Sequence, residues 1–235
     1  MILGNRLYVR KDPDRDASLC IIYCEGNKRE PQYFKYFDKI SSRIILEVVK
    51  ADPEGNNSPM GLYEQACIDI KDKSTELKAK YDVGATDQVW FVIDTDEWNQ
   101  QIQELKQNCL NEENWRVAQS NPCFEVWLYY HITGEDAGAV VLPNCAAWKN
   151  HVNEMIPGGF DCRKHPVFIR DAIEHAKANL RTVDGQIGYG STEMFKLAEI
   201  LYPLVASDIK KALKVIKHEA EKPHLILIID RGHFS

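Results

Sequence analysis

The stretch Val89-Trp90-Phe91-Val92-Ile93-Asp94-Thr95-Asp96-Glu97 restricts the possible folds more than any other part of the chain. Five apolar residues run unbroken into a group of acids. Such a run fits a strand buried on both faces, as in the middle of a parallel sheet. The acids then lie just past its carboxyl end, where open α/β sheets gather their ligands. Asp94 and Asp96 are two positions apart, so an extended chain points both side chains the same way. Two carboxylates held together repel, and each raises the other's pKa unless a cation stands between them. Mg²⁺ or Mn²⁺ is the simplest cation for such hard oxygen donors.

The flanking sequence repeats the strand-then-loop pattern. Leu19 to Cys24 is an apolar run that ends in Glu25-Gly26. After the loop from Asn27, Pro31 suits the first turn of a helix carrying Tyr33, Phe34, Phe37 and Ile40 on one stripe. Ile44 to Val49 reads as a second strand, and a helix is expected from about Met60 to Tyr81. After the strand at 89–93 come a helix over 97–110 and a short strand over Trp115 to Ala118. Asn121 and Pro122 are then placed to cap and open a further helix. This alternation predicts an α/β fold with a parallel sheet and helices on both faces. The expected division is an α/β core over 18–132 and a mainly helical extension over 133–235, packed on the core as one globular unit. Within the extension, helices are expected at 166–181, 192–202 and 207–222, and His224 to Ile229 reads as a last strand.

Three strand ends thus carry acid: Glu25, then Asp94 with Asp96, then Glu125. Glu125 lies among Cys123, Phe124, Val126, Trp127, Leu128, Tyr129 and Tyr130, in a segment apolar nearly all round. Such a helix is buried, and a buried Glu requires a partner. The competing reading is a set of solvated strand-end acids with one Glu favouring a helix start. That plainer reading is preferred for Glu30 and Glu97. It is also preferred for Lys28 and Arg29 as loop cations, for His131 as a core histidine, and for Asp230 as a surface acid. Gly188 to Thr192 precedes a helix and could bind an anion, but Ser191 or Thr192 would cap that helix in any case.

Charge and cysteine content limit the setting. A net charge of -6 argues against tight binding of a phosphate backbone by the chain alone. The seven Cys are scattered without CxxC or zinc spacing, which fits a reducing, cytoplasmic environment. Met1 to Asp16 is too polar for a signal peptide, and Leu225 to Ile229 is too short to span a bilayer. Neither GxGxxG after the first strand nor GxxxxGK[ST] is present, so dinucleotide or P-loop chemistry is not expected.

Glu25-Gly26 after strand one, with Asp94-Thr95-Asp96 after strand three, resembles the Toprim fold of topoisomerases, primases and OLD-type nucleases. Two longer stretches, Glu25 to Phe34 and Ser120 to Leu128, narrow the resemblance to the RloB-like family, a Toprim-related group found beside restriction and phage-defence genes. Arg29 stands where that pattern carries a small hydroxyl residue. The resemblance implies a Toprim-like core and a metal-dependent nuclease that serves as effector of an anti-phage or abortive-infection system. It implies Glu25, Asp94 and Asp96 as metal ligands for Mg²⁺ or Mn²⁺, and Glu25 and Glu125 as catalytic residues. RNA or DNA and an AAA-type ATPase are the implied partners, without a membrane, and homo-oligomer formation is open. The alternative is a non-catalytic Toprim-like regulatory subunit that docks on the ATPase.

Overall fold

The computed structural model describes residues 17–50, 56–71, 79–95 and 98–220. Four parallel strands form the centre: β1 (Ser18–Cys24), β2 (Ile44–Val49), β3 (Gln88–Asp94) and β4 (Trp115–Asn121). A short antiparallel strand, β7 (Ser191–Thr192), joins the end of β4 and gives the order β2-β1-β3-β4-β7. The expected parallel α/β sheet is therefore present, with Ile44–Val49 and Gln88–Asp94 in one sheet. From β1 the chain moves outward to β2 and then returns to place β3 on the other side of β1. The order of strands reverses between β1 and β3, the point at which doubly wound sheets leave a crevice beyond their carboxyl ends.

Alternation along the central strands sorts the core into two layers. Cys20, Ile22, Cys24, Trp90 and Val92 face one layer, while Leu19, Ile21, Tyr23, Val89, Phe91 and Ile93 face the other. Helices α2 (Pro59–Lys71) and α3 (Asn99–Leu110) cover the second layer through Leu62, Ala66, Ile102 and Leu105. The first layer takes α1 (Arg29–Lys35), α4 (Glu125–Tyr129), α5 (Cys145–Glu154), α6 (Ile169–Ala178) and α7 (Met194–Ala220). The remaining short pieces are a 3₁₀ turn at Ala137–Ala139, another at His165–Phe168, and a hairpin of β5 (Thr182–Val183) with β6 (Gln186–Ile187). Trp90, Phe91, Trp127 and Tyr129 are buried in the core, and Cys24 and Cys123 are buried free thiols. No helix among the described residues is long and apolar enough to cross a membrane.

Several boundaries differ from the sequence reading. Asn121 does not cap a helix. It ends β4, its side-chain amide donates to Ile187 O at 2.8 Å, and α4 begins only at Glu125, after Phe124. Helix α1 stops at Lys35, so Phe37 and Ile40 pack from the turn beyond it. Helix α2 is described over Pro59–Lys71, residues 72–78 lie outside the described residues, and Tyr81, expected at the helix end, is not helical and donates its N–H to Asp69 O at 3.0 Å. The helix expected at 166–181 is a 3₁₀ turn followed by α6, which ends at Ala178. The segments 192–202 and 207–222 merge into α7, with Pro203 inside it. Proline removes one backbone donor, and here it lies on the exposed face of the helix. The expected last strand from His224 lies outside the described residues.

His131 is the core histidine that the sequence suggested. It is 7% exposed, with Nε2 at 3.1 Å from Tyr33 Oη and Nδ1 at 2.9 Å from Trp127 O. Burial pulls its pKa down to about 3. The unfolded chain therefore binds a proton that the folded chain refuses, and stability should fall as pH drops below the free imidazole value. The decline is at most about 1.4 kcal/mol per pH unit, the most that one proton bound only by the unfolded chain can contribute. Urea unfolding at pH 7.5, 6.5 and 5.5 should show this decline, and His131→Gln should flatten it. Equal slopes in both proteins would assign the decline to other groups.

Candidate functional site

The end of β1 and the end of β3 are tied together at the reversal point. Glu25 N–H continues the ladder by donating to Val92 O at 3.1 Å. Its side chain then turns toward β3: Oε2 accepts Asp94 N–H at 2.9 Å, and Oε1 accepts the Trp98 indole N–H at 3.0 Å. The Glu25 carboxylate is thereby fixed in orientation beside Asp94.

Two more acids join from the helical side. Glu30 is 6% exposed and Glu125 is 9% exposed, both on helices of the first core layer. Glu30 folds back over Gly26, where an added Cβ would stand 2.2 Å from its Oε2. The absent side chain at position 26 is what leaves room for this carboxylate. Asp94 is held well above the usual carboxylate range, first by loss of water and then by the charges of Glu30, Glu25 and Glu125. Glu30 is also raised, chiefly by burial, with Glu125 adding to the effect. Among the described residues Arg29 supplies a counter-charge, with Nε 3.9 Å from Glu125 Oε1. At an effective dielectric constant near 20, a pair at that distance gains only about 4 kcal/mol before desolvation.

The loop carrying Asp94 is clamped from the other side by β4 and β7. Thr95 N–H donates to Pro122 O at 3.0 Å, and Thr95 Oγ1 donates to Ser120 O at 2.7 Å. Gln119 Nε2 donates to Thr95 Oγ1 at 2.9 Å, while Gln119 Oε1 accepts from Lys106 Nζ at 2.7 Å. Glu193 closes the network with its N–H on Gln119 O at 2.7 Å and its carboxylate 3.1 Å from Lys106 Nζ. Ser120 and Thr192 share a hydroxyl hydrogen bond of 2.8 Å. Gly190 to Thr192 therefore serve strand pairing and the start of α7, where Thr192 Oγ1 accepts Met194 N–H at 3.2 Å.

Of the residues picked from sequence, Glu25 is hydrogen-bonded to the Asp94 backbone, Glu125 lies within electrostatic reach of Asp94, and Asp96 and Glu97 lie outside the described residues. Glu30, read from sequence as a plain surface acid, belongs to the group. The signal for it was the spacing Glu25-Gly26 to Glu30, which lets a first-turn side chain fold over the glycine. Trp98, Thr95 and Gln119 were not singled out, because nothing in their types marks a clamp.

The donor set is all carboxylate oxygen, which suits Mg²⁺ or Mn²⁺ rather than a soft metal. The crowding on Asp94 is of the kind that a cation relieves. Among the described residues, no three His, Cys, Asp or Glu side chains converge closely enough to hold an ion as they stand.

Gly26→Ala tests the cradle. The group it meets is the far end of a flexible side chain, so Glu30 can move aside. The expected loss of stability in urea melts is below about 1 kcal/mol. A loss of about 3 kcal/mol or more would mean that the Glu30 carboxylate cannot yield and holds the fold itself.

A family model described as RloB-like protein matches residues 20–201. The match begins within β1 and ends within α7, so it takes in all four clustered acids and the elements beyond residue 132. No curated protein and no solved structure matches the chain.

Proposed function

Since the chain belongs to the RloB-like family, we propose that it is a metal-dependent nuclease, the effector of a cytoplasmic anti-phage defence system. The observation that carries this reading is the gathering of Glu25, Glu30, Asp94 and Glu125 at the strand-order reversal of a Rossmann-like sheet. A purely structural role would not require so many acids in one partly buried place, since each buried charge costs free energy unless matched.

In this reading Glu25, Asp94 and Asp96 hold Mg²⁺ or Mn²⁺. The ion would polarise a phosphodiester and lower the pKa of the attacking water. The chain's own groups orient and move protons around that centre. Trp98 and the Asp94 backbone fix the Glu25 carboxylate by two hydrogen bonds. Glu25 serves as ligand or as acceptor of the proton from water. Glu30, which this reading does not use as a ligand and whose carboxyl burial raises, is the group placed to pass a proton beside that centre. Glu125 holds Arg29 at the rim of the site, where a phosphate oxygen would meet the guanidinium. With an overall charge of -6, part of the grip on RNA or DNA comes from a partner, for which an AAA-type ATPase is the candidate.

The test pairs melts with cleavage. Mn²⁺ should raise the melting temperature of the wild type, because binding to the native state alone stabilises by RT ln(1 + [L]/Kd). Asp94→Asn with Asp96→Asn should abolish that shift and the cleavage of RNA or DNA. The metal-free double variant should melt no lower than wild type, since two repelling charges are gone. A wild type without a metal shift, together with a double variant that retains full defence activity, would replace the nuclease by a non-catalytic subunit docking on the ATPase.

A further inference from the structure

A cleft of about 740 Å³ opens directly beside the acids. Its walls include Arg29, Lys35 and Arg163, with Gln32, Tyr36 and Phe160. Arg29 joins the two places, since it lies 3.9 Å from Glu125 and donates from Nη1 to Phe160 O at 3.4 Å. Lys35, Gln32 and Arg163 are exposed, while Tyr36 is half-buried. Asp161 is the acid in the wall, and it is bonded by Arg163 through two donors at 3.0 and 2.9 Å. Arg163 is paired with Asp161 and Arg29 with Glu125, while Lys35 has no ion pair among the described residues, so the cleft presents one unpaired cation and two whose carboxylate partners a phosphate would have to replace.

We infer that this cleft holds a single strand of nucleic acid beside the acid site, with Arg29, Lys35 and Arg163 on successive phosphates and a base on the Tyr36 ring. The inference rests on the nuclease reading above and adds to it the path and strandedness of the substrate. Positive charge follows the backbone, and an aromatic face takes any base, the combination by which single strands are held without sequence preference. The volume is that of a pocket for one or two nucleotides, within the usual range of about 300–1,000 Å³ for small-ligand sites. Arg29 has a side chain only 20% exposed, so a phosphate reaches it by entering the cleft. A rigid duplex keeps its bases stacked inside and offers none to Tyr36. Glycine at 158, with φ of +84°, lets the rim turn without a side chain over the opening.

The experiment uses the full chain with Asp94→Asn, to stop turnover, and fluorescence polarisation of a labelled single-stranded 12-mer, as RNA and as DNA. The single strand should bind at least about tenfold more tightly than the matching duplex. Lys35→Ala with Arg163→Ala should weaken binding by about tenfold or more. The same pair should reduce the slope of log Kd against log salt by about 1.4, since each phosphate neutralised on a single strand adds about 0.7 to that slope. Tyr36→Ala should weaken binding about tenfold and leave the slope unchanged. Equal or tighter duplex binding overturns the inference, as does an unchanged slope in the charge variant. It also falls if a free mononucleotide displaces the 12-mer at equal concentration, or if no strand binds at all. Single-strand binding that obeys the variants while the wild type cleaves nothing would sustain the cleft and defeat the nuclease reading. Cleavage by wild type that ignores the cleft variants would do the reverse.

Discussion

The Glu25 side chain, accepting the Asp94 backbone N–H at 2.9 Å, is the contact on which the site depends. It joins the ends of two adjacent parallel strands at the place where the sheet's winding changes direction. Everything that makes the site acidic is arranged around that join. Glycine at 26 admits the Glu30 carboxylate, and α4 delivers Glu125 from the buried side. The energetic consequence falls on Asp94, whose carboxyl is raised by burial and by the charges of Glu30, Glu25 and Glu125. A fold that keeps such a crowd has accepted a destabilising element, which is the usual mark of a functional site.

Much of this was legible in the sequence. The sheet was readable because Val89 to Ile93 is apolar on both faces and because Leu19 to Cys24 and Ile44 to Val49 alternate with helical stretches. Glu25 and Asp94 followed from being the first polar residues past those runs. The parts that were not legible have physical reasons. Strand β7 is two residues, Ser191–Thr192, and two hydroxyl side chains carry no hydrophobic period. The segments 192–202 and 207–222 read as two helices, whereas α7 runs through Pro203, which lies on its exposed face. Pro122 suggested a helix start, but Asn121 directs its side chain to Ile187 O, and the chain turns before α4 begins. Glu30 was hidden by its type, since a charged residue in a first helical turn ordinarily faces water.

The two sides of the site differ in what fixes them. On the β1 side, Glu25 and Glu30 are placed by local chain, within a few residues of Gly26. On the β3 side, Asp94 and Thr95 are placed by residues remote in sequence: Gln119, Ser120 and Pro122, backed by Thr192 and Glu193. The helical elements beyond residue 132 thus support the acids as much as they cover the core, consistent with a family match that runs on to residue 201.

That clamp has a consequence for how the chain comes into being. Strands β1 to β4 can pair as soon as their own residues have left the ribosome, whereas Thr192 and Glu193 arrive long after Ser120, a separation of 72 residues for the shared hydroxyl bond. Contacts closed over long loops form late, because the loop must be ordered before the contact stabilises it. During synthesis the sheet therefore stands for a time with Gln119 and Ser120 not yet backed by Glu193 and Thr192. The clamp is thus completed in two stages: Thr95 closes on Pro122, Ser120 and Gln119 when β4 pairs, and the support behind them arrives only with α7.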